Sequence, residues 1–148
     1  MSDKLSQYFT LEELTQSQYA TRKGISNIPT GVYMQNLVYT ASKMDEVRKL
    51  LGKPVIVSSG YRSTVVNLAI GGSPTSSHTA GLAVDFTCPE FGAVEEVFNA
   101  IRKSPLRYDQ IINEGDSWCH LGFGDRLRHQ QLKATFSSTG HASYKDVK

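Results

Sequence analysis

Several kinds of residue pattern are scarce in this chain, and each absence narrows the field. Only two cysteines, Cys88 and Cys119, occur in 148 residues, so no disulfide framework supplies the stability. No apolar run approaches membrane-spanning length, and Met1-Ser2-Asp3-Lys4 leads into no signal-peptide core. No membrane partner is expected. Nor is there a strong excess of charge: 16 Lys and Arg against 14 Asp and Glu leave +2. That excess is too small to argue for a nucleic-acid partner. Internal repeats and low-complexity segments are missing as well. What remains, with 39% hydrophobic and 20% charged residues, is one soluble domain with an ordinary core.

The pattern of that core is α+β. Thr10-Leu11-Glu12-Glu13 has the form of a capping box and predicts a short helix through about Ser17. A longer helix is predicted from Pro29 and Thr30. Met34, Leu37, Val38, Ala41, Met44, Val47 and Leu51 form its apolar face, and Gly52 stops it. Pro54 to Ser58 reads as a strand, Ser63 to Ile70 as a short helix, and Leu82 to Thr87 as a buried strand. A helix follows from about Phe91 to Lys103. Tyr108 to Asn113 and Trp118 to Phe123 then read as a strand pair joined by Glu114-Gly115-Asp116-Ser117. Residues 1–137 are expected to form the domain and 138–148 a polar tail, frayed unless a partner ties it down.

Chemistry concentrates in Ser77-His78-Thr79-Ala80-Gly81-Leu82-Ala83-Val84-Asp85 and in Trp118-Cys119-His120. Two imidazoles and one carboxylate make the three-ligand N/O set of a catalytic zinc site, which leaves a fourth position to water. Gly81 lets the chain turn, so that His78 and Asp85 can reach one point. In an unbroken strand their separation would put them on opposite faces. Asp85 lies within the apolar run Leu82 to Phe86, where an unpaired carboxylate is costly. His120 lies in a second such run. Cys119 should point away from His120, into the core, and Cys88 reads as a buried thiol with metal ligation as the alternative. His129 and His141 lie outside every motif and read as surface residues.

These two runs resemble the signature of the zinc D-Ala-D-Ala carboxypeptidase family. The family includes peptidoglycan-cutting enzymes of bacteria and phages and shares its fold with hedgehog signalling domains. Ser58-Ser59-Gly60-Tyr61-Arg62-Ser63, Tyr108 to Glu114 and the opening Tyr8 to Leu14 agree with it, so the likeness runs from about Tyr8 to about Phe136. The resemblance implies a single α+β domain with a small, mainly antiparallel sheet flanked by helices. It also implies one Zn2+ and a peptidoglycan stem peptide as substrate. The modest positive charge does not hinder approach to an anionic wall polymer. A monomer is expected.

Hydrolysis needs a general base beside the metal. Glu114, six residues before His120 across the hairpin, is the first candidate and Asp116 the second. Family members commonly place an acid three residues before the last histidine. Here that position is Ser117, and the spacing resembles the hedgehog-type arrangement instead. Arg62 stands at the end of a strand, where a guanidinium can hold the scissile carbonyl or its oxyanion. The resemblance gives the matching arginine that role. Ser77 either donates a hydrogen bond near the substrate or shapes the turn. Trp118 is read as packing over the ligands, with an aromatic wall for the substrate as the alternative.

Three functions stay open at this point. The first is a zinc peptidase of stem peptides, of carboxypeptidase or endopeptidase type. Absence of an export signal leans it toward a phage or prophage lysin, made in the cytoplasm and reaching the wall after release or within a phage particle. The second is a zinc-stabilised phage structural or binding module of the same fold without catalysis. The third is a zinc hydrolase of another small amide.

Overall fold

A computed structural model of the chain describes residues 3–124 and 126–147. The described residues form five α-helices and six strands, helices foremost at the start and strands at the end: α1 (Leu11–Thr15), α2 (Gln18–Lys23), α3 (Val32–Leu51), β1 (Ile56–Ser59), α4 (Thr64–Ala69), β2 (Ala83–Thr87), α5 (Val94–Arg102), β3 (Gln110–Glu114), β4 (Trp118–Gly122), β5 (Gln130–Phe136) and β6 (Ala142–Asp146). A 3-10 helix, Ser77–Ala80, lies between α4 and β2. The strands form one mixed sheet in the order β1-β2-β4-β3-β5-β6. Every pairing is antiparallel except β3 with β5, which is parallel. This is the expected α+β domain.

Local chemistry accounts for the helix ends. Thr10 accepts from the Glu13 amide while the Glu13 carboxylate accepts from the Thr10 amide, the reciprocal bonds of a capping box. α3 ends at Gly52 in the left-handed region, its amide bonded to the Arg48 carbonyl. α5 carries acidic residues in its first turn, and Glu96 reaches back to the Ala93 amide.

The two sheet faces differ. Val84 and Phe86 of β2, Cys119 and Leu121 of β4, and Ile111 of β3 are buried in one core with Leu37, Met44 and Val47 of α3 and Val97, Phe98 and Ile101 of α5. At the edge of this helix-covered face Asn113 is fully buried, donating to Glu95 and Asp116. Strand alternation then sends Asp85, His120, Ile112 and Glu114 to the opposite face.

Four expectations need correction. The first helix ends at Thr15, and a separate α2, capped by Ser17 and closed by Gly24, follows it. α2 carries one buried residue, Ala20, so no apolar stripe announced it. Glu114 is not a turn residue but the last residue of β3, paired with Trp118. β5 was missing from the sequence reading. Residues 142–146, expected to be frayed, form β6 on its edge. β5 is half-buried along most of its length and every residue of β6 is exposed, so neither shows the alternation that marks a strand with one buried face.

Candidate metal centre

His78, Asp85 and His120 come together from three elements. Asp85 and His120 are directly paired across β2 and β4, so both project from the same face of the sheet. The 3-10 helix brings His78 over them. Donor atoms of the three residues lie within 4.8 Å of one another, and this is the one group of three or more potential ligands among the described residues. Asp85 Oδ1 is 2.8 Å from His120 Nδ1 and 3.3 Å from His78 Nε2, and the two rings meet edge-on at 5.2 Å.

The tautomer of His78 tests whether this set fits a metal. Its Nδ1 lies 2.7 Å from the Gly60 carbonyl oxygen, which can only accept, so Nδ1 carries the proton. In the neutral ring Nε2 is then a bare lone pair, aimed at the Asp85 oxygen. A divalent cation suits such converging donors, and a carbonyl behind a ligating histidine is the usual orienting partner. The residues fit zinc. Burial works to raise the Asp85 pKa, but the His120 and His78 rings, when protonated, hydrogen-bond and charge-pair with it and hold it well below the usual carboxylate range. The carboxylate is thereby ready as an anionic ligand.

The scaffold behind the site explains why the chain turns as it does. Gly81 takes φ +78°, and a side chain there would meet the Tyr33 carbonyl. α3 clamps the turn from below: Asn36 donates to the Ala80 carbonyl and Thr40 to that of Gly81. Gly60 lies so close to α1 that an added Cβ would stand 2.4 Å from the Leu14 carbonyl oxygen. That close approach sets the carbonyl that orients His78. Asn27, buried, donates to the Thr15 and Tyr61 carbonyls and accepts from the Ser63 amide, bracing the segment around Arg62. No pattern in the sequence marks Asn27, Asn36 or Thr40 as supports of the site, and Gly60 lies within the Ser58–Ser63 segment with nothing local to show its role.

Arg62 is half-buried beside this group. Its amide bonds the His78 carbonyl, and its Nη2 donates to Ser76 Oγ at 3.3 Å. Its Nε is buried without a partner. Desolvation lowers the guanidinium pKa while Asp85 raises it. The hydroxyl that shapes the turn is that of Ser76, which accepts from the His78 amide, rather than Ser77. Glu114 projects from the same face as His120. Burial pushes its carboxyl pKa up, with His120 lowering it and Asp85 raising it. Asp116 accepts from buried Asn113 and so is engaged toward the opposite face.

The other candidates lie elsewhere. Cys119 is buried on the helix-covered face, where desolvation pushes its thiol up. Cys88 is buried and donates to the Pro54 carbonyl at 3.2 Å, away from the metal donors. His129 is exposed, with its ring stacked on Tyr108 at 4.1 Å, and His141 is exposed too. A cleft of about 1350 Å³ opens between α1, α2 and β1, but none of the metal donors lines it.

With this geometry in place, comparison with known proteins adds the family. The family model for peptidase M15 matches residues 7–122, most of the chain. The protein belongs to the M15 peptidases, the zinc D-Ala-D-Ala carboxypeptidase family, whose members are zinc-dependent and act on peptidoglycan-type substrates. No curated protein matches the chain. The matched segment contains the three candidate metal donors together with Arg62 and Glu114, and stops at the end of β4. No helix of the described residues is long and apolar enough to cross a membrane.

Proposed function

We propose that the chain is a zinc peptidase that hydrolyses a peptide bond of peptidoglycan stem peptides, with His78, Asp85 and His120 as its zinc ligands. The observation that carries this reading is the convergence of three protein donors on one sheet face, with Glu114 beside them on that same face. A structural zinc site has no need of that carboxylate. Bound to the three donors, zinc supplies Lewis-acid polarisation of the scissile carbonyl and a more acidic water.

The chain's own residues do the rest. Glu114 takes the proton of the attacking water and delivers it to the leaving amine. Its raised pKa, caused first by desolvation, brings the carboxylate closer to the range in which a base can also act as an acid. Arg62, half-buried beside Asp85, brings a guanidinium whose charge favours the oxygen that gains charge as the carbonyl is attacked. Asp116 is the poorer base, because its carboxylate is already held by Asn113.

Digestion of purified wall peptides, read by mass spectrometry, tests the reaction and identifies the bond in one measurement. Wild type should shorten stem peptides, and Glu114→Gln should not, with zinc content equal in both. A zinc-loaded wild type that shortens no stem peptide would overturn the proposal in favour of a zinc-stabilised module.

A further inference from the structure

The sheet continues past the last matched residue, and its continuation is not inert scaffold. β5 and β6 extend the face that carries the metal donors. Register fixes which side chains share it. Trp118 pairs with Glu114, Glu114 with Ala134, and Ala134 with Tyr144, one row across four strands. Partners in such a row project from the same face. Tyr144 therefore stands on the metal-bearing face, two strands beyond Glu114, or about 10 Å at the backbone.

The side chains along this row are unevenly covered. Ala134 is fully buried, so larger neighbours close over it. Tyr144 and Phe136, on the same face of the adjoining strands, are 52% and 47% exposed. Phe136 lies against the backbone of Gly115, where an added Cβ would come within 2.6 Å of the ring. Burial raises the Tyr144 pKa, and the charge of Glu114 adds to it. Two half-exposed rings thus adjoin the carboxylate proposed as general base. Large aromatic surfaces left open beside a polar site are characteristic of places that bind ligand.

We infer that the β5–β6 hairpin is a substrate-binding element, and that Tyr144 and Phe136 hold the part of the stem peptide lying beyond the scissile bond. The inference rests on the proposed function, since its occupant is the same peptide. Continuity with Glu114 along one row, next to the row of Asp85 and His120 on the same face, selects that occupant. A peptide chain crossing Glu114 toward the hairpin meets the two rings next. Flat aromatic faces suit the aliphatic side chains and methyl groups of a stem peptide.

Binding separates this from a merely structural role. The probes are a synthetic stem pentapeptide and the dipeptide D-alanyl-D-alanine, titrated calorimetrically into zinc-loaded protein carrying Glu114→Gln so that the peptides persist. The quantity of interest is the preference for the longer peptide over the shorter. Tyr144→Ala and Phe136→Ala, added singly, should each narrow that preference about 3- to 10-fold, the size of one aromatic contact. Tyr144→Phe, which keeps the ring, should restore most of it. Lys145→Ala, pointing from the same strand to the opposite face, should leave it at the parent value. Melting temperatures of all variants identify any loss of folding, and Tyr144→Phe retains the packing if Tyr144→Ala does not. Should the pentapeptide bind the parent protein while Tyr144→Ala and Phe136→Ala leave the preference untouched, the inference is wrong and the proposed function stands. If the parent binds no pentapeptide at all, both fail.

Discussion

The two faces of the sheet carry residues one position apart in sequence and opposite in character. On β2, Val84 and Phe86 are fully buried under the helices, while Asp85 between them faces the metal site. On β4 the same alternation sets Cys119 and Leu121 against His120. One face is apolar and closed, held by dispersion and the exclusion of water. The other collects charge and lone pairs and leaves them partly open. A period of two residues lets one strand serve both purposes, so that a rigid core lies directly behind Asp85 and His120.

The comparison breaks most sharply at the metal. His120→Ala should abolish zinc binding and hydrolysis together, whereas Cys119→Ala, its neighbour on the other face, should keep about one zinc per chain. Elemental analysis of both variants checks this, and equal zinc in the two would remove His120 from the site. Next comes Glu114→Gln, which keeps shape and metal but cannot take a proton. Its rate on stem peptide should fall about 10²–10⁴-fold. A Glu114→Gln enzyme at near wild-type rate, beside an inactive Asp116→Asn, would move the base to Asp116.

On the closed face the expected loss is of stability rather than rate. Phe86→Ala empties a fully buried ring position and should cost about 3–5 kcal/mol in urea unfolding. Zinc-loaded protein should recover part of this by mass action, because metal binds the native state. A smaller loss than that of an exposed-residue substitution would mean the helices do not pack on this face as described.

The smallest expected effect is electrostatic. The Arg128 guanidinium beside Asp109, bonding it through Nε at 2.8 Å, holds that carboxyl below its ordinary pKa. A carboxylate whose folded pKa is depressed stabilises the protein above its unfolded value of about 4. That contribution disappears as pH falls through the lower folded value. Asp109→Asn should therefore reduce the melting temperature at neutral pH and flatten its decline below about pH 4. Because Arg128 is largely exposed, solvent screens the pair and the effect should be modest. Parallel melting curves for the two proteins across that pH range decide it.

Not all of the molecule was equally legible. α3 and α5 could be read because their apolar positions recur at helical spacing, and β2 and β4 because their runs are short and apolar. α2 and β6 could not, since almost nothing in them is buried and burial is what writes a pattern into sequence. The donors His78, Asp85 and His120 were visible as residue types that are expensive to place in apolar runs. Their supports were not: Asn27, Asn36 and Thr40 are ordinary polar residues whose partners are backbone carbonyls far away in the chain.

The sequence by itself determined the alternation of β2 and β4, the turn at Gly81, and hence which residues could serve a metal, because side-chain direction and glycine's freedom at positive φ are local properties. The tertiary structure decided the rest. It made Glu114 the end of a strand rather than part of a turn, set the Gly60 carbonyl against His78, and laid Tyr144 in the row of Glu114. The first and last depend on which strands pair and in what register, and the second on the close approach of Gly60 to α1; all three are contacts between distant segments.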